Sequence, residues 1–259
     1  MDLHLSGRSA LITGASKGIG RAIALALAEE GCLLHLAARG RAELDALADE
    51  LAATGLPRPR VHALDLSARG APAALAEACG SLDILVNNAG AIPRGDVGSV
   101  DEDQWRDAWA LKVFGTIDLS RAVLVGMRAR QHGVIINIIG LAGERPNADY
   151  IVGSTGNAAL MAFTRGVGSA SIDTGVRILG INPGLVNTER LQSILRAQAA
   201  QRFGDAERWR ECQNASKLPA GRAAEPKEVA DVAAFLASDR ASYMSGTIVT
   251  VDGGRTYRA

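Results

Sequence analysis

Cysteine is scarce in this sequence: there are three in 259 residues, at Cys32, Cys79 and Cys212. They are odd in number, far apart, and fall in no Cys-x-x-Cys or Cys/His ligand spacing. That pattern argues against a disulfide framework and predicts no metal site, leaving structural thiols in a reducing compartment. Net charge is missing too, because 28 basic residues balance 28 acidic ones. Nucleic acid and anionic membrane surfaces both select a basic excess, so neither is expected as a partner. Long hydrophobic runs are absent. No segment reaches transmembrane length, and the N-terminal MDLHLSGRSALITG lacks a charged segment followed by a long apolar one. A soluble, cytoplasmic protein is expected. Linker-like composition, repeats and low-complexity segments are also lacking, so residues 1–259 are read as a single domain.

What the chain does contain is an alternation. Short runs rich in Val, Ile and Leu stand at 9–13, 32–38, 60–65, 83–88, 133–139, 177–182 and 247–252. They are continuously apolar, as strands covered on both faces must be. Between them lie segments of helical period at roughly 18–30, 41–54, 70–79, 101–130, 150–172 and 225–238. This order predicts an α/β fold with a parallel sheet and helices on both faces. The polar, Arg/Gln-rich stretch from about Glu189 to Lys217 interrupts the pattern and reads as a helical insertion or substrate lid.

The first strand runs into T13-GASKGIG-R21, where Gly14, Gly18 and Gly20 precede an amphipathic helix. Glycines let backbone approach a pyrophosphate, and a helix N-terminus offers free N–H groups and a positive dipole. The spacing Gly-x3-Gly-x-Gly differs from G-x-G-x-x-G, so taken alone the turn is also compatible with a tight strand–helix connection. It is followed in order by Asp65 in ALDLS, by NNAG at 87–90, by the Tyr-headed segment YIVGSTGN at 150–157, by NPG at 182–184, and by SGTIVTVDGG near the end. Together these resemble the short-chain dehydrogenase/reductase family over essentially the whole chain. The resemblance implies a Rossmann-type, doubly wound fold with seven parallel strands, a nicotinamide cofactor, and a homo-oligomer, dimer or tetramer. It also implies that Gly14, Ser16, Lys17, Gly18, Ile19 and Gly20 line the pyrophosphate, and that Asp65 and Leu66 border the adenine. Asn87, Ala89 and Gly90 would line the ribose, and Pro183, Gly184 and Thr188 the nicotinamide end. Asn87 has a purely structural reading as well, tying neighbouring strands together.

Cofactor choice follows from charge. NAD sites usually carry a carboxylate after the second strand, accepting from the ribose 2′-OH. Here that strand ends Ala37–Ala38–Arg39. Arg39 and Lys17 suit a 2′-phosphate through charge-assisted hydrogen bonds, so NADP(H) is expected ahead of NAD(H).

The resemblance implies a Ser, Tyr and Lys with a preceding Asn for the proton that accompanies hydride transfer. A free tyrosine has a pKa of about 10, so it needs a nearby cation to work near neutrality. This sequence keeps Tyr150 and departs elsewhere. Gly140 stands where the serine is expected, Ser154 where the lysine is, and Lys112 in the asparagine position of W109-A-L-K112-V-F-G115. The Gly140-to-Tyr150 spacing is also shorter than the family's serine-to-tyrosine gap. One reading moves the cation: Lys112 activates Tyr150 from another helix, while Ser154 hydrogen-bonds the ribose or that amine. The other is a catalytically silent NADP(H)-binding sensor or scaffold. The vacancy at Gly140 leaves backbone N–H groups near Gly140–Leu141, Lys112, or the loop carrying Glu144, Arg145 and Asp149 to receive a developing oxyanion. Arg145 is further considered as an anchor for an acidic substrate. None of His4, His35, His62 and His132 lies near this site in the reading, so histidine acid–base chemistry is not expected. The expected substrate is a small carbonyl or alcohol.

Overall fold

The computed structural model describes residues 1–212 and 218–257. Its strands are β1 (Ser9–Thr13), β2 (Leu33–Ala38), β3 (Arg60–Ala63), β4 (Ile84–Asn87), β5 (Gly133–Ile138), β6 (Val176–Pro183) and β7 (Ile248–Val251). They form one parallel sheet in the order β3-β2-β1-β4-β5-β6-β7. The chain winds outward from β1 to β3 and then returns to place β4 beside β1. That reversal opens a crevice at the C-terminal ends of β1 and β4, where this architecture holds its ligands.

Helices α1 (Gly18–Glu29), α2 (Arg41–Ala53) and α9 (Pro226–Ala237) cover one face of the sheet, and α3 (Ala71–Cys79) and α5 (Gly115–Arg130) cover the other. Strand residues Ile84, Leu85 and Val86 are wholly buried. Each large aliphatic side chain so buried contributes roughly 1.5–3 kcal/mol, which is why these strands read as unbroken apolar runs. α6 (Ile151–Ser171) packs along β6, and α7 (Glu189–Phe203) with α8 (Trp209–Cys212) form the expected insertion. Leu195, Ala199 and Trp209 make a small core of their own between α7 and α8. Residues 213–217 of the expected lid lie outside the described residues. Among the described residues no helix is long and apolar enough to cross a membrane.

The segment expected as one helix over 101–130 is interrupted. α4 (Glu102–Trp109) starts at a capping box formed by Asp101 and Gln104 and runs into a π-helical turn at Ala110–Phe114 before α5. A π-turn inserts one residue per turn and re-aims side chains, and such turns recur at functional sites. Lys112 sits in the middle of this one.

Candidate active site

At the end of β1, Gly14 and Gly18 take positive φ values of +64° and +58°, conformations that glycine adopts without strain. A Cβ on Gly14 would stand 2.9 Å from Asn88 Nδ2, and one on Gly20 would collide with the Gly14 carbonyl. Helix α1 therefore seats directly on the turn, presenting its N-terminus to the crevice. The NNAG segment is locked to the same turn. Asn88 Nδ2 donates to Thr13 O at 3.1 Å, and the amides of Asn88 and Ala89 both donate to Thr13 Oγ1 at 3.0 Å. Thr188, the N-cap of α7, completes the enclosure, with its Cγ2 3.2 Å from where a Gly18 Cβ would stand. This side-chain-free cradle at a helix N-terminus fits a pyrophosphate.

Arg39 and Lys17 are exposed at the rim, and neither forms an ion pair among the described residues. Asp65 faces the same side. The hydroxyl and amide of Ser67 hold its carboxyl below the usual carboxylate range, with a smaller contribution from Arg39. Leu66 is buried beside it. Asn87 is buried and takes the structural part: its Nδ2 donates to Ser120 Oγ at 3.0 Å and to Asn137 Oδ1 at 2.9 Å. Pro183 ends β6, and Gly184 follows with its amide on Val251 O at 2.9 Å.

The end of β5 is built around two nitrogen donors on consecutive carbonyls. The Lys112 ammonium donates to Ile139 O at 2.7 Å, and Asn157 Nδ2 donates to Gly140 O at 3.2 Å. The lysine stem crosses over Gly90, where a Cβ would lie 2.9 Å from its Cδ. Burial, and secondarily the positive charge of Arg190, push the Lys112 amine down to about 8. Gly140 adopts φ +124° and ψ 144°, a region essentially closed to other residues, and a Cβ there would meet Asn157 Nδ2 at 3.0 Å. Its amide is engaged by Asn182 Oδ1 at 3.3 Å. Gly140 is thus shaped to deliver its carbonyl to Asn157. Among the described residues, Asn157 Oδ1 is the buried side-chain atom left without a hydrogen-bond partner.

Tyr150 is the N-cap of α6, held by a bridge to Gly95 and by Gly95 N donating to Asp149 O at 2.9 Å. Its ring lies over Gly153, where any Cβ would collide with it. Burial raises its hydroxyl above the ordinary tyrosine value, opposed by the nearby positive charges of Arg190 and Arg94. Arg190 Nη2 donates to Ile92 O at 2.5 Å, so its guanidinium pins α7 over the tyrosine. The cations facing Tyr150 are therefore Arg190 and Arg94, whereas the Lys112 hydrogen bond runs to Ile139.

Ser154 occupies a different place from the one expected. Its hydroxyl is buried against the preceding loop, accepting from Asn147 N at 3.0 Å and donating to Asn147 O at 3.3 Å. The reason is geometric: the tyrosine ring fills the space of Gly153, three residues further along, and one helical turn beyond Gly153 comes Asn157. The shortened Gly140-to-Tyr150 spacing was the signal in the sequence for this displacement. Arg145 is likewise committed, with Nη1 donating to Arg255 O and Thr256 O, each at 2.9 Å, so it ties down the C-terminal segment. Glu144 accepts from Asn182 Nδ2 at 3.3 Å. Arg94 and Arg190 escaped the sequence reading, since a loop arginine and a lid arginine carry no spacing signal.

Comparison with known proteins finds relatives along nearly the whole chain. A family model described as Enoyl-(Acyl carrier protein) reductase matches residues 14–256. Galactitol 2-dehydrogenase (L-tagatose-forming) of Cereibacter sphaeroides is 37% identical over 255 residues, covering 98% of this chain and 96% of that protein. L-sorbose reductase from Gluconobacter frateurii, solved with NADPH and L-sorbose, superposes with a TM-score of 0.94 at 32% identity over 100% of both chains. A single-residue variant of actinorhodin polyketide ketoreductase with NADPH gives 0.90 at 28% identity, covering 97% of this chain and 98% of that one.

Proposed function

This chain belongs to the short-chain dehydrogenase/reductase family of oxidoreductases, and we propose that it interconverts a ketone and a secondary alcohol with NADP(H) rather than NAD(H). The observation that carries the reading is the convergence of Tyr150, Arg190 and Lys112 at the C-terminal ends of β4 and β5, next to the glycine cradle. NADPH, when bound, supplies the hydride. Tyr150 gives the proton to the carbonyl oxygen, and the positive charges of Arg190 and Arg94 nearby stabilise the phenolate left behind. An ammonium has three N–H donors, and Ile139 O takes one from Lys112. The remaining two face the role of the missing serine: they supply positive charge and hydrogen bonds where the oxyanion develops. Gly140 and Asn157 keep the Ile139–Gly140 segment in place. Lys17 and Arg39 hold the 2′-phosphate, and α7 with α8 close over the substrate as a lid.

Two guanidinium groups beside Tyr150 favour an oxygen-rich or anionic substrate, so ketoses and keto acids head the assay panel. NADPH oxidation is followed with wild type and Tyr150→Phe. The expected outcome is turnover of at least one ketone by wild type, and a kcat lower by about 10²–10⁴-fold in Tyr150→Phe with unchanged NADPH affinity. Wild type that binds NADPH but turns over no carbonyl would point to the silent binding protein instead.

A further inference from the structure

Away from the crevice, the sheet edge brings together three groups that the sequence keeps far apart. His35 on β2 and His62 on β3 face each other with Nδ1 of the first 3.0 Å from Nε2 of the second. Their ring planes differ by 8°, with centroids 5.2 Å apart. Cys79, the last residue of α3, places its Sγ 3.7 Å from the same His62 Nε2. The three ligand atoms all lie within 4.8 Å of one another. His35 and Cys79 are each 6% exposed, and His62 is partly open to solvent.

We propose that His35 Nδ1, His62 Nε2 and Cys79 Sγ bind one zinc-class divalent ion, with a fourth position open on the solvent side of His62. Tetrahedral zinc with nitrogen at about 2.05 Å and sulfur at about 2.3 Å sets N···N near 3.3 Å and N···S near 3.6 Å. The observed 3.0 and 3.7 Å are each within a few tenths of an ångström of those spacings, while the third edge, His35 Nδ1 to Cys79 Sγ, is bounded at 4.8 Å. The two rings meet nearly head-on across their hydrogen bond, so both must turn for their lone pairs to converge on the ion. Two imidazoles and a thiolate are the donor types zinc selects over magnesium or calcium. Binding breaks the His35–His62 hydrogen bond. Each imidazole then carries its proton on the nitrogen turned away from the metal, and the thiol proton is released to solvent. Burial pushes the Cys79 thiol up to about 12, so the ion itself must displace the thiol proton. Arg60, paired in register with His35, is the charged neighbour that partly offsets this burial and opposes the cation. The ion would clip the four-residue edge strand β3 to β2 and α3. It lies three residues before Asp65, which ties it to the wall proposed for the adenine.

The test uses the full-length protein, stripped with a chelator and titrated with Co²⁺ and then Zn²⁺. A single equivalent of Co²⁺ is expected to give a thiolate-to-cobalt charge-transfer band that Zn²⁺ abolishes, and Zn²⁺ is expected to raise Tm. Cys79→Ser should remove the band, and His62→Gln should weaken Zn²⁺ binding by about tenfold or more. Should Cys79→Ser not fold, His62→Gln on the edge strand decides the matter. Wild type without the band, a band that survives Cys79→Ser, or undiminished Zn²⁺ affinity in His62→Gln overturns the assignment.

Discussion

At the end of β1, glycines are placed so that backbone can close on backbone: Gly20 seats α1 against Gly14 O, and Gly14 lies against Asn88 and Ala89. The space so kept free of side chains opens toward the crevice. At the end of β5, the glycines make room for the chain's own side chains. Gly90 takes the Lys112 stem, Gly140 the Asn157 amide, and Gly153 the Tyr150 ring. The first region is the plan expected of a dinucleotide turn. The second is a set in which side chains lie over glycines. The lesson is that a glycine can serve a neighbouring side chain as well as the backbone, since here each adjoins a residue whose side chain occupies its Cβ space.

The sharpest way to break this contrast is to remove a reaching side chain. Lys112→Met is expected to lower kcat for carbonyl reduction by about 10²-fold, the cost of losing one oxyanion donor. The amine loses its proton as pH rises through about 8, so wild-type reduction should fall across that window. Lys112→Met should lack that limb, and a pH–rate profile of both proteins checks it.

Next comes the glycine pair. Gly20→Ala and Gly153→Ala should each cost about 1–3 kcal/mol in urea unfolding, because each Cβ overlaps occupied space. They should differ in kinetics. Gly20→Ala is expected to weaken NADPH binding, whereas Gly153→Ala displaces the Tyr150 ring and lowers kcat with NADPH affinity kept. If Gly153→Ala turns over normally, the ring position has no bearing on catalysis.

A smaller effect is expected at the rim. Arg39→Ala should raise the NADPH Kd by about tenfold or more, as loss of one charge-assisted hydrogen bond implies, and leave NADH binding unchanged. Equal weakening of both cofactors in fluorescence titrations would remove Arg39 from the 2′-phosphate. The smallest effect is Ser154→Ala, whose hydroxyl holds only Asn147. Its kcat should stay close to wild type, with a loss of about 0.5–1.5 kcal/mol in stability. A large fall in kcat would return Ser154 to the catalytic set.

Much of this was legible beforehand. Strand burial on both faces forces continuous apolar runs, so the inner strands Ser9–Thr13, Ile84–Asn87, Gly133–Ile138 and Val176–Pro183 were legible as such, while the edge strands β3 and β7 are only partly buried. The glycine turn was legible because glycine takes the positive φ values it needs without strain and leaves room for backbone to close on backbone. The break at Ala110–Phe114 was not, because a π-turn leaves the helical period nearly intact. Neither was the part played by Asn157: a helix register read from Tyr150 points to Ser154, and only the position of the ring over Gly153 shows that the count should start three residues later.

By itself the sequence determined the parallel sheet and the glycine cradle, because periodicity and backbone sterics are local properties. The tertiary structure decided which side chains face one another. Arg190 meets Tyr150 only because α7 folds back over the crevice, and Ile92 O anchors it there. His35, His62 and Cys79 show no ligand spacing along the chain, yet parallel pairing of β2 with β3 and the docking of α3 bring their donor atoms within 4.8 Å. Such contacts depend on strand register and helix packing, which sequence separation does not encode.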